Sequence, residues 1–131
     1  MGGCYIQGVG KIYVGDYSQI ASNVVIISAN HDLYDTRKHN PSEVKIGRYC
    51  WLGAGSMIMP GVELGDFTIV GAGAVVTKSF VEGYCLIAGN PAKIIRQLEK
   101  EKCIPYKNRV EYNGYIISSS FDFYRKKNLN V

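Results

Sequence analysis

Counting in sixes along the middle of the chain gives Ile46, Leu52, Ile58, Leu64, Val70 and Val76, aliphatic at every step. The residues that follow them are Gly47, Gly53, Met59, Gly65, Gly71 and Thr77. Those two places before are Val44, Cys50, Ser56, Val62, Thr68 and Ala74, all small or β-branched. A period of six matches neither the turn of a helix nor the alternation of a lone strand. It fits a solenoid of short flat strands, each sending one aliphatic residue to the axis with a small one beside it. The chain then turns at a glycine, which tolerates positive φ. If three strands close a triangular coil, Ile46 stacks on Leu64, Leu52 on Val70 and Ile58 on Val76.

The pattern also runs earlier, through Val14, Ile20 and Ile26, but in another register. The ladder is interrupted between Ile26 and Ile46, at about residues 30–43, where NHDLYDTRKHNPSE has the composition of a loop. Inserted residues of a solenoid collect on its binding face. His31 stands at the root of this loop, with Asn30, Asp32 and Tyr34 beside it as candidate acceptor contacts. After Val76 the hexads fade. VEGYCLIAG offers one last strand, and GNPAKIIRQLEKEK predicts a helix with Pro91 in its first turn and Ile94, Ile95 and Leu98 on one side. The rest is rich in tyrosine, and Ser119 or Ser120 suits the cap of a short terminal helix. Residues 1–89 thus form the solenoid core. Residues 90–131 form a helix and an irregular tail that covers a solenoid end.

Composition narrows the function. Net charge of +4 is mildly basic and scattered, which suits a small anionic ligand and not a nucleic acid. Four dispersed cysteines and two histidines support neither a structural zinc site nor a disulfide framework. Without an apolar run of membrane-spanning length or a signal peptide, the expectation is a reduced cytoplasmic protein.

Over residues 5–97 the chain resembles the hexapeptide-repeat acyltransferases, in particular the maltose, galactoside and polysaccharide O-acetyltransferase branch. Four stretches carry the resemblance: SANHDLYD, VKIGRYCWLGAGSMIMPGVELGD, IVGAGAVVTKSF and AGNPAKIIR. It implies an all-β, left-handed parallel β-helix, a homotrimer with sites between neighbouring prisms, and acetyl-coenzyme A as cosubstrate without a metal. By the same resemblance His31 is the general base, and the thioester lies by the backbone of Gly53 and Ala54, beside Trp51. Ala72 would touch the pantetheine, Thr77 and Lys78 its lower end, and Lys93 and Arg96 the phosphates. Family members carry coils or a helical segment upstream of the position of Met1, and the acceptor-contacting asparagine of the sugar branch falls at or before it.

The chemistry is coherent. An alcohol must lose its proton during attack, and a neutral imidazole suits that task. A glycine-lined turn offers N–H groups to a tetrahedral oxyanion. Other readings stand beside these. His39, inside the loop, reads as a solvent-exposed residue. Trp51 points away from the axis and marks either the cofactor or a subunit contact. Cys50 reads as packing, and Lys78, Lys93 and Arg96 each also read as solvated charges. The alternatives are a xenobiotic or amino-sugar acetyltransferase and a non-catalytic trimeric module. A carbonic anhydrase on this fold needs three histidine ligands, and the chain has two.

Overall fold

A computed structural model describes residues 2–108, 112–113 and 116–128. Around the prism, short strands follow one another and each pairs with its counterpart one coil away. The first face stacks β1 (Tyr5–Gln7), β4 (Val25–Ile27), β9 (Met57–Ile58) and β12 (Val75–Val76). The second stacks β2 (Ile12–Val14), β7 (Val44–Ile46) and β10 (Glu63–Leu64), and Phe80 bridges onto Leu64. The third stacks β3 (Gln19–Ile20), β8 (Trp51–Leu52), β11 (Thr68–Val70) and β13 (Cys85–Ala88). All these pairings are parallel. The hexads imply a three-sided solenoid, and the fold is the left-handed parallel β-helix that the resemblance implies.

The register is the one the period predicts. Ile46 pairs with Leu64, Leu52 with Val70 and Ile58 with Val76. Both inward columns, the aliphatic and the small, are buried from Val44 through Val76. Each buried Ile or Leu contributes roughly 1.5–3 kcal/mol of apolar burial, so the axis carries most of the stability. Across the interruption, Ile26 pairs with Ile58 thirty-two residues on, fourteen more than a plain coil. Those fourteen are the loop read at 30–43. In the first coil Val14 is 44% exposed, on the edge strand of the second face.

Glycines act differently from the expectation. Gly47, Gly53, Gly65 and Gly71 do not adopt positive φ. Each donates its N–H to the carbonyl of a core residue one coil up, Phe80 for Gly65 and an aliphatic residue for the others, as Gly53 does to Val70 at 2.8 Å. A Cβ on Gly53 would lie 2.6 Å from that oxygen, so close backbone approach is what demands glycine there. The left-handed position falls three residues after the core aliphatic: Tyr49, Gly55, Gly61, Phe67 and Gly73. At the corner between the second and third faces these residues are aromatic and stack as Tyr17, Tyr49, Phe67 and Tyr84, with centroids 4.8–5.3 Å apart. Stacking worth about 0.5–1.5 kcal/mol per pair offsets a left-handed cost of about 1–2 kcal/mol per residue.

The helix expected in residues 90–102 is not formed. Lys93–Gln97 is a strand, β14, antiparallel to β13, followed by one 3₁₀ turn at Lys100–Lys102. The outer edge of β13 is the last of the third face, and its unpaired N–H and C=O groups accept an extended, β-branched segment better than they tolerate solvent. Ile94 and Ile95 are accordingly exposed. Nor does the tail simply close an end. It runs back along the aromatic corner: Leu98 N–H bonds the Tyr84 carbonyl, Lys100 lies over the Tyr84 ring, and Tyr106 packs edge-on against Tyr17 and Tyr49. A terminal helix does form, α1 (Ser118–Asn128), beyond the short hairpin of β15 (Tyr112–Asn113) and β16 (Ile116–Ile117). Among the described residues no helix is long and apolar enough to cross a membrane.

Candidate active site

The excursion begins where Ser28, fully buried, ties the end of the first face to the coil below. Its hydroxyl donates to the Gln7 carbonyl at 2.7 Å and accepts the Gly10 N–H at 2.9 Å. From that anchor β5 (Ala29–His31) leaves the prism and pairs antiparallel with β6 (His39–Pro41). The tip between them is closed by its own polar groups. Asp32 Oδ1 accepts the Tyr34 and Asp35 N–H groups, each at 2.9 Å. Asp35 holds the Arg37 guanidinium at 2.8 Å. The Asp35 and Tyr34 amides keep the Asp32 carboxyl below its usual range, and Arg37 does the same for Asp35. Both aspartates are thus committed to the shape of the loop, and neither orients His31.

That task falls to a backbone oxygen. His31 Nδ1 lies 2.6 Å from the Thr36 carbonyl. A carbonyl only accepts, so in the neutral ring Nδ1 carries the proton and Nε2 keeps its lone pair. The side chain is exposed at the corner between the first and second faces. The ring therefore holds its second nitrogen free at an open edge.

The other expected residues divide between two edges of the first face. His31 with Asn30, Asp32 and Tyr34, and Thr77 and Lys78 two coils above, follow the first face along its exit corner. Gly53, Ala54 and Ala72 stand on the opposite, entry corner, where Gly55 N–H bonds the Ser22 carbonyl and Gly73 N–H bonds that of Ala54. Ala54 and Ala72 are exposed, and a Cβ on Gly55 or Gly73 would meet nothing within 4 Å, so this edge is a straight bare shelf. Trp51 leads into it from β8 with its side chain 52% exposed, and Lys93 and Arg96 lie on β14 at the far end of the same face. With strands about 4.8 Å apart, β8 to β14 spans roughly 14 Å. One chain does not unite His31 with the shelf.

Two further points follow from the geometry. A groove of about 700 Å³ on the second face, lined by Tyr13, Lys45, Glu63 and Tyr84, contains none of the expected residues. Tyr34 at the loop tip is 99% exposed and touches nothing of its own chain that would bury it. His39 is exposed, as the sequence reading has it, but that reading did not foresee that the hairpin register sets it directly opposite His31. The signal was present: seven residues separate the two histidines, and pairing them as a hairpin would have brought them together.

The comparisons agree with this fold. Residues 43–78 match the family described as bacterial transferase hexapeptide (six repeats). A maltose O-acetyltransferase from Clostridium difficile 630 superposes with a TM-score of 0.69 at 38% identity, covering 74% of this chain and 54% of that one. A galactoside acetyltransferase in complex with coenzyme A gives 0.69 at 30% identity, covering 80% and 55%. A Dictyostelium discoideum protein with a provisional acetyltransferase name is 40% identical over 100 residues, 73% of this chain and 52% of that protein. The chain spans about half the length of the curated relatives it matches.

Proposed function

We propose that this chain, whose residues 43–78 match the bacterial transferase hexapeptide repeats, is a hexapeptide-repeat acyltransferase that transfers an acetyl group from acetyl-coenzyme A to a saccharide hydroxyl. The observation that carries this reading is the Thr36 carbonyl on His31 Nδ1, which leaves Nε2 as a proton acceptor at an exposed edge. Nε2 takes the proton of the acceptor hydroxyl as its oxygen bonds to the thioester carbon. Backbone N–H groups at Gly53–Ala54 receive the oxyanion. The carbon–sulfur bond then breaks, and the imidazolium returns its proton to the departing thiolate. Lys93 and Arg96 hold the phosphates of the cosubstrate, and Thr77 and Lys78 contact it from the other edge. Asn30, Asp32 and Tyr34 face the acceptor.

Because base and shelf flank opposite corners of one face, the site is completed by a second copy. The two edges are different surfaces, so their contact is head to tail, and such a contact forms a ring when its rotation closes. A homotrimer is the ring this reading adopts, with Trp51 at the seam. It also places the protein in the cytoplasm, a reducing compartment suited to four unpaired cysteines.

A second acceptor class has its own support. The chain is 48% identical over 52 residues to a chloramphenicol acetyltransferase of Agrobacterium fabrum, a stretch that covers 24% of that protein. Thiol release from acetyl-coenzyme A is therefore measured against sugars, sugar oligomers, amino sugars and chloramphenicol. Release with saccharides and loss of about 10²–10⁴-fold in His31→Ala is the expected result. A thermal shift with coenzyme A persists in that variant. No release with any acceptor would leave only a binding module.

A further inference from the structure

The second imidazole of the chain stands against the first. His39 is the cross-strand partner of His31, and their ring centroids are 4.4 Å apart with planes inclined by 44°. At that separation the two rings are in van der Waals contact. The Thr36 carbonyl already holds Nδ1 of His31 from the loop side. A single hydrogen bond leaves the ring free to swing about the line of that bond, and Nε2 swings with it. Neighbouring polar groups do not prevent this. Asp32 bonds the loop amides and Asp35 bonds Arg37, and the cross-strand pair before the histidines is Asn30 with Asn40. Burial does not prevent it either, since both imidazoles are exposed. The remaining restraint is the face of the other ring.

We infer that His39 is a positioning residue, packing on the His31 imidazole so that Nε2 meets the acceptor hydroxyl in one orientation. Its catalytic part rests on the transferase reading above; its structural part does not. A displacement of about 1 Å at a reacting group costs up to roughly 10²-fold in rate, so a loosened ring lowers turnover without touching cosubstrate affinity.

With two histidines in the chain, the imidazole region of a proton–carbon NMR spectrum holds two sets of signals, assigned with His31→Ala and His39→Ala. In His39→Ala the His31 ring becomes more mobile by carbon relaxation. Turnover falls roughly 10- to 100-fold, while KM for acetyl-coenzyme A stays within about twofold. His39→Phe restores a ring but no nitrogen, and returns both relaxation and turnover to within about threefold of the original. Amide signals of the hairpin are followed in the same samples. If His39→Ala opens the hairpin, His39→Val replaces it, keeping a strand-forming residue without a ring. Unchanged His31 relaxation in the ringless variant overturns the inference. Rescue by His39→Gln where Phe fails also overturns it, since the nitrogen would then matter and the ring would not. The relaxation measurement needs no acceptor. A protein that transfers nothing defeats the proposed function while the role of His39 is still decided.

Discussion

In the coil stack the aliphatic residues that reach the axis lie on aliphatic residues of the next coil, whereas in the hairpin that leaves the stack Ala29 is the last buried side chain before Val44. The first region is held by apolar contact, which is insensitive to direction. The second has no core and is held by directed bonds: Ser28 to the coil below, Asp32 to its own amides, Thr36 to His31. The difference teaches where a solenoid can place chemistry. A stacked coil repeats its neighbours, so a unique group such as His31 must sit on residues the repeat does not govern. Hydrogen bonds and ring contacts must then replace the packing it left.

Substitutions break this contrast in measurable ways. Ile58→Ala removes a side chain stacked between Ile26 and Val76 and should cost about 2–5 kcal/mol in urea unfolding. His31→Ala should leave that midpoint unchanged, so the two variants separate fold from chemistry. Ser28→Ala joins the regions: it strips the Gly10 N–H of its acceptor and should cost about 1–3 kcal/mol. Hairpin amides, read by hydrogen exchange, should lose protection before those of the coils.

The smallest effect lies within the stack. Burial pushes the Asp66 carboxyl up, but the Arg48 N–H at 2.8 Å and the Arg48 guanidinium at 2.9 Å outweigh it and leave the carboxyl below its usual value. A folded value below the unfolded one means the stabilisation is present at neutral pH and is lost as pH falls below about 3.8 through the folded value. With the pair partly in solvent the increment should be under about 1 kcal/mol. Unfolding measured at pH 6 and pH 3 should show a steeper loss for the original protein than for Asp66→Asn.

Much of the prism was legible because its information is local and repeated. A hexad states the same instruction in each strand, and the offset between Ile26 and Ile46 measured the insertion that the pairing of Ile26 with Ile58 reproduces. The glycine column was legible as a column but not for its reason, since the nearest atoms belong to a coil eighteen residues away, as Val70 and Ala72 are for Gly53. The segment Lys93–Gln97 misled because its own apolar spacing allows a helix. The open edge of β13 made it a strand, and nothing within the segment records that edge.

By itself, then, the sequence determined the period, the stacking partners and the position of the loop, because short repeats fix their own register through burial of one column. Only the tertiary structure decided which corner each polar residue occupies, that His39 rests on His31, and that His31 and the shelf lie on opposite edges of one face. Those facts depend on how far the chain has wound before each residue is laid down, and on contacts between residues that share no local pattern.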